Sequence, residues 1–260
     1  MRIILAIIKK ELKAYFSSPI AYVIMTVFLF IIGFYFFALI QRFSEMTWAM
    51  RAQQQYQQFG MQNLNINEEV VRPFFSIILT LSLFIMPILT MRLFSEEMET
   101  GTLELLLTSP VTEIQLIGGK YLASVIFYLF MILFTVPHML ILFNLTKPDI
   151  GTVLSGYGGL ILVGLTFLAI GLFLSSLTKN QIVAAVLSFG VLLLLGIVSW
   201  ASNFSDPTTG KVLSYLSIFA HFEDFSKGVF DTKHLIYYLS FSFGGLFLTY
   251  TSLDSLKWRG

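Results

Sequence analysis

The chain has 260 residues, a net charge of +1, no cysteine, and a composition that is 56 % hydrophobic and only 12 % charged. Soluble domains carry about 25 % charged residues, and a core of this size cannot hide so much apolar surface, so the bilayer is the solvent. The charge balance offers no basic face for nucleic acid, and the missing cysteine excludes disulfides, thiolate metal sites and cysteine nucleophiles.

Residues 1–18, MRIILAIIKKELKAYFSS, open the chain. Ile4, Ile8, Leu12 and Tyr15 follow helical spacing with Ile3 and Ile7 beside them, while Lys9, Lys10 and Lys13 take the remaining surface. This predicts an amphipathic helix lying in the headgroup layer and leading into the membrane. Simple extension of the first span is disfavoured, because three lysines would be costly in hydrocarbon. The segment returns to charge after eight residues and has no small-residue cleavage site, so it does not read as a cleavable signal.

Crossing roughly 30 Å of hydrocarbon takes about 20 apolar residues at about 1.5 Å each. Six stretches qualify: 20–40, 73–91, 121–145, 150–175, 181–201 and 235–253. They are continuously apolar rather than alternating, which argues against a strand-built barrel. The expected fold is therefore an all-α integral membrane protein of one domain with six transmembrane helices. Pro19, Pro73 and Pro148 stand at span starts, and Pro87 and Pro137 should kink the spans that hold them.

An even span count puts both termini on one side. Nine Lys and Arg fall outside the spans on that side against seven on the other, which places both termini in the cytoplasm. The outer segments are then 41–72, glutamine-rich and solvated, and 202–234, whose cluster YLSIFAHFEDF either dips into the interface or packs on helix ends. No span contains Asp, Glu, Lys or Arg, unlike ion-coupled transporters. His138, beside Pro137, is expected to be a packing residue near a kink. Gly164 with Gly171, and Ser240 with Gly244, suit close helix packing.

The cytoplasmic segment 92–120 is unusual. Residues 94–120, FSEEMETGTLELLLTSPVTEIQLIGGK, hold Glu96, Glu97, Glu99, Glu104 and Glu113, five of the fifteen acidic residues. Gly101 interrupts any helix from Ser95, and Thr102 is a plausible N-cap for a turn beginning at Leu103. Glu104 then sits in the first turn, where the helix dipole favours a carboxylate. Leu103, Leu106 and Leu107 share a face, Ser109-Pro110 ends the helix, and Thr112 with Gln115 fits a capping box for the next. The result is a short capped helix, apolar on one face and acidic on another. Physics alone leaves a docking surface and a solvated face resting on the membrane equally open.

The run EEMETGTLELLLTSPVTEIQLIGGK at 96–120 resembles the signature segment of type-2 ABC transporter permeases. The resemblance implies six spans, an amphipathic helix before the first, and a cytoplasmic coupling helix that contacts a separate ATPase subunit. It also implies a second permease copy, ATP and Mg on the partner rather than any cofactor here, and a place in the bacterial inner membrane. SSLTKNQ at 175–181 is similar to that family's second ATPase-facing connection. By this resemblance the docking residues are Glu96, Glu97, Gly101, Thr102, Leu103, Glu104, Leu106, Leu107, Pro110, Ser176, Lys179 and Asn180. The outer stretch HFEDFSKGVFDTKHLIYYLS at 221–240 is similar to gliding-motility-associated ABC permeases of Bacteroidetes, which implies a membrane-anchored auxiliary partner and makes His221, Phe222, Glu223 and Phe225 candidates for contacting it. The chain has no P-loop, no HExxH and no GxSxG, so an enzyme is not expected. A non-transporting scaffold, passing ATPase motion to an outer partner, stays open as the alternative.

Overall fold

The computed structural model describes residues 2–54, 64–108, 110–202 and 206–257, and among them every regular element is helical. Helix α1 (Arg2–Ser17) breaks from α2 (Pro19–Gln54) at Ser18, where proline opens the new helix. The inward face of α1 runs through Ile4, Ile7, Ile8, Glu11, Leu12 and the buried Tyr15, and it packs on α6 (Glu113–Leu133). Ile7 lies against Gly119, where an added Cβ would come within 2.6 Å of its side chain. The apolar stripe of α1 is thus largely spent on a neighbouring helix.

Helix α2 is 36 residues long, about 54 Å at the usual rise, so it continues well past the predicted span into the outer segment. The chain returns through a π-helical turn (Asn67–Val71) into α3 (Arg72–Thr90), which contains Pro87 and ends one turn later. Two short helices follow, α4 (Arg92–Glu99) and α5 (Thr102–Thr108), then α6. The third predicted span is broken rather than bent. α6 stops at Leu133 and α7 (Val136–Leu145) restarts with Pro137 in its first turn, because proline has no N–H to continue the ladder. His138 sits at this break, its Nδ1 3.3 Å from the Thr135 carbonyl and its ring edge-on to Phe36, as a packing residue.

Helix α8 (Ile150–Ser175) is capped by Asp149, whose carboxylate accepts from the Gly151 and Thr152 amides. It is the centre of the bundle, packed against α3, α6, α9 (Gln181–Ser202), α11 (Ile218–Ser226) and α12 (Thr232–Lys257). Its glycines allow this. A Cβ on Gly164 would run into the Tyr128 ring, and one on Gly171 into the Thr90 side chain. The other predicted small pair behaves differently: Ser240 is exposed and Gly244 faces open space, while the adjacent Gly245 meets the Ala169 backbone. The buried stripe of α12 runs through His234, Tyr238, Ser242, Gly245, Thr249 and Leu253, one position away from the motif.

Among the described residues five helical stretches are long and apolar enough to cross a membrane: Pro19–Ala52, Asn67–Glu99, Glu113–Leu145, Ile150–Ser175 and Gln181–Val198. The sixth expected span, within α12, has the length at 26 residues, but its tyrosines, serines and threonines lower its hydropathy below that group. Those polar groups are used inside the bundle. Tyr238 donates to the Ile218 carbonyl at 2.7 Å, Ser242 to its own helix, and Thr166 lies 3.2 Å from Ser242.

Candidate functional site

The acidic segment folds as an elbow. α4 ends at Glu99, Gly101 takes a φ of +72°, which costs any other residue roughly 1–2 kcal/mol, and α5 departs in a new direction. Thr102 is the first residue of α5 rather than a cap before it. Its hydroxyl sits 2.9 Å from that of Thr100 and 3.4 Å from the Glu97 carbonyl, so it ties the elbow back to α4. Glu104 occupies the first turn of α5 and is exposed. Pro110 is exposed at a bend, and the capping box of Thr112 with Gln115 opens α6.

Burial divides the predicted docking residues. Glu96, Gly101, Thr102, Glu104, Pro110, Lys179 and Asn180 are exposed, and Leu106 is half-buried. Leu103 is 4 % exposed and belongs to the protein's own core. The Leu107 side chain and Ser109 lie outside the described residues. Leu105, which the facing-leucine pattern passed over, is 70 % exposed and is the apolar side chain that α5 presents outward. Ser176 is buried, with its carbonyl accepting from Ser252 of α12. Asn180 caps α9 by accepting from the Ile182 and Val183 amides.

Glu97 departs furthest from expectation. Its carboxylate turns inward and meets Lys120 at 2.8 Å and Lys10 at 3.3 Å. Lys120 is 2 % exposed, and its ammonium also reaches Glu11 at 3.1 Å and the Leu93 carbonyl at 2.6 Å. One buried lysine therefore joins α1, α4 and α6. A carboxylate held this way cannot also serve a surface partner, since removing it would strand the lysine's charge in a dry site. The sequence did carry one signal for this network: Lys120 is the single charge at the start of an otherwise apolar stretch, and burying it demands a partner.

Further ties gather around α4. Ser95, fully buried, donates to the Ser175 carbonyl at 2.9 Å, bringing the 175–180 connection beside the elbow. Tyr15 donates to the Leu89 carbonyl at 3.0 Å, and burial pushes its hydroxyl up to about 12, so it stays a neutral donor. The Arg92 guanidinium lies 4.6 Å from the Tyr15 ring. Among the described residues Arg92 makes no ion pair.

At the opposite end, α10 (Pro207–Leu216) lies along α9, and α11 packs between α8 and α9. Phe225 meets Gly159, nine residues into α8 and thus about 14 Å below its end. His221, Phe222 and Phe225 are therefore buried, not offered to an outer partner. The spacing of Ile218, His221, Phe222 and Phe225 is that of one helix face, and that face is turned into the bundle. Glu223 alone of the four is exposed, and it pairs with Lys227 at 2.6 Å. His221 Nε2–H donates to the Tyr215 carbonyl at 2.8 Å, which leaves its Nδ1 against the Nδ1 of His234. His234 in turn reaches Asp224 through Nε2 at 2.8 Å. Burial lowers the His221 pKa from its ordinary value, so that ring is the neutral acceptor. Among the described residues no three or more His, Cys, Asp or Glu side chains are arranged so that they could hold a metal ion.

The family model described as "ABC-2 family transporter protein" matches residues 5–251. Two curated relatives, both printed as "Probable multidrug ABC transporter permease YbhR", come from Escherichia coli strain K12 and Escherichia coli O157:H7. Each is 28 % identical over 172 residues, which is 65 % of this chain and 45 % of the relative. The chain spans less than half the length of these relatives.

Proposed function

The chain belongs to the ABC-2 family of transporter proteins, and from that premise we propose that it is the membrane-spanning permease subunit of an exporter driven by a separate ATPase. The observation that carries this proposal is the α4–α5 elbow, an exposed corner whose α4 arm follows directly on α3 and is tied to α6 through the Glu97–Lys120 contact. α3 ends at Thr90 and α4 begins at Arg92, and α6 runs from the capping box at Thr112 directly into the third span. A push on α5 therefore moves α3 and α6 together.

In this proposal the ATPase seats on Glu104 and Leu105, with Gly101, Thr102 and Pro110 setting the angles, Lys179 and Asn180 beside them, and Glu96 at the membrane edge. The carboxylate would set orientation more than affinity, and the exposed leucine would supply the buried contact. ATP and Mg belong to the partner. Lys120 and Glu97 do not touch it. They hold α1 and α6 against α4, so that the elbow transmits motion instead of swinging free. In this scheme α12 is the sixth span, so both termini share one side, and the excess of Lys and Arg there supports the cytoplasmic face of a bacterial inner membrane.

A second copy of the chain completes the pathway in this scheme, since α8 at the centre of the bundle is largely buried against its neighbours. The likeness of 221–240 to gliding-motility permeases supports assigning that role and a membrane-anchored auxiliary protein to the complex. Exposed outer surface for it is offered by the far end of α2, not by the inner face of α11.

The test is detergent co-purification with the candidate ATPase. Glu104→Lys combined with Leu105→Ser should abolish association while the chain remains inserted and folded. Undiminished association of that double variant would overturn the elbow as the docking site.

A further inference from the structure

Two adjoining clefts meet beside the elbow, and each mixes polar with apolar lining. One, of about 230 Å³, lies where α2 begins, α3 ends and α9 begins, and its wall is Ile20, Ala21, Ile24, Ile88 and Leu89. The other, of about 640 Å³, opens over α1, α4 and α5 and is lined by Lys10, Glu11 and Lys120 together with Thr102, Leu105 and Leu106 of the elbow. Arg92 and Glu96 line both. They are one turn apart on α4, the spacing at which an Arg and a Glu ordinarily pair, yet neither makes an ion pair among the described residues. Lys10, Glu11, Glu97 and Lys120, by contrast, are committed to one another.

We propose that these joined clefts bind a phospholipid whose headgroup carries a phosphate and, next to it, a primary ammonium, with the phosphate on Arg92, the ammonium on Glu96 and the start of an acyl chain along Ile20, Ile24 and Ile88. The charge pattern selects the occupant. An acyl chain alone would not require the two open charges. A purely anionic headgroup would satisfy Arg92 but leave Glu96 without a partner. A zwitterion bridges a cation and an anion that stand near each other without touching. The Arg92 guanidinium carbon lies 4.6 Å from the Tyr15 ring centroid, and its planar fork can meet phosphate oxygens there. The placement is also that of a lipid headgroup, since three candidate spans terminate at this level. The proposal extends the permease assignment by adding a lipid that bridges α2, α4 and α9 at the coupling end. It depends on that assignment only for which leaflet supplies the lipid.

The experiment uses the full chain alone, so it is independent of whether an ATPase binds. The chain is reconstituted in nanodiscs containing phosphatidylethanolamine, phosphatidylglycerol and phosphatidylcholine, extracted, and scored by native mass spectrometry for retained lipid. Wild type should retain one phosphatidylethanolamine in preference to the other two. Arg92→Ala should lower that retention about tenfold, the size expected for losing one charge-assisted contact. Glu96→Gln should keep phospholipid bound but erase the preference over phosphatidylcholine, whose quaternary ammonium cannot donate a hydrogen bond. Inorganic phosphate should compete only weakly, because it has no chain for the apolar cleft. Equal retention of all three lipids, a preference for phosphatidylglycerol, full displacement by phosphate, or an Arg92→Ala variant indistinguishable from wild type would each overturn the proposal.

Discussion

At the α4 end a lysine ammonium, two carboxylates and a backbone carbonyl converge from three helices. At the α11 end two imidazoles, a carboxylate and a carbonyl form a chain among stacked aromatic rings, with His221 lying 3.9 Å from the centroid of Tyr237. Both ends bury polar groups, but they secure different things. The ionic cluster joins α4 to α1 and α6, which already pack on each other, and it is strong only while every charge has its partner. The aromatic end wedges α11 against α8 through shape, with Phe222 and Phe225 set over Gly159, and its hydrogen bonds finish a site that packing already defines. In the proposed mechanism the charged end carries force between elements, while the aromatic end stays put.

That contrast can be broken most sharply at Lys120. Lys120→Ala leaves Glu97 and Glu11 to share the largely exposed Lys10 in place of a buried cation, and should cost about 3–5 kcal/mol, read as a large fall in thermal stability in detergent. Glu97→Gln introduced beside it should recover part of the loss, since the two positions act as one unit. A fall no larger than that of an exposed lysine would mean that water reaches the cluster.

The aromatic end should answer to pH instead. Burial lowers the His221 pKa, with the Tyr215 carbonyl opposing, and His234, Lys233 and Asp224 face it. The folded protein thus keeps this ring neutral where the unfolded chain would take a proton, near the ordinary value of about 6.5. Protons then favour the unfolded state, and stability is lost as pH falls through that value toward the lower folded one. Melting at pH 7.5 and at 5.5 should differ in that direction, and His221→Phe, which retains the ring against Tyr237, should shrink the difference. No change in that difference would remove His221 from the account.

The smallest effect on stability is expected at the elbow's outer face. Leu105→Ser should change unfolding by no more than about 0.5 kcal/mol, as exposed positions do, while weakening ATPase association. Equal damage to both measurements would mean that Leu105 is held by the chain's own packing.

Much of the fold was legible because apolar runs long enough to span a bilayer leave few alternatives. The bounds of α8 and the capping box at Thr112 came directly from local pattern. What local pattern could not supply was direction. Glu97 stands in a run of exposed glutamates, and nothing within that run distinguishes it. Its partners lie 23 and 87 residues away, so its inward turn follows from how α1 and α6 dock. The α11 face was misjudged for a related reason. An aromatic stripe at helical spacing fits an interface between proteins and an interface between helices equally well, and only the glycine gap in α8 decides between them. α12 was readable by length yet sits at the margin of hydropathy, because each tyrosine counts as polar until its hydroxyl is matched with a carbonyl.

The glycine face of α8 has a consequence for how this chain can change. Gly164 and Tyr128, Gly171 and Thr90, and Gly156 and Phe75 each share one volume between two helices. A larger residue on α8 is tolerated only when its counterpart shrinks, so these positions have to vary as couples, and a single exchange at either member meets a wall that a double exchange does not.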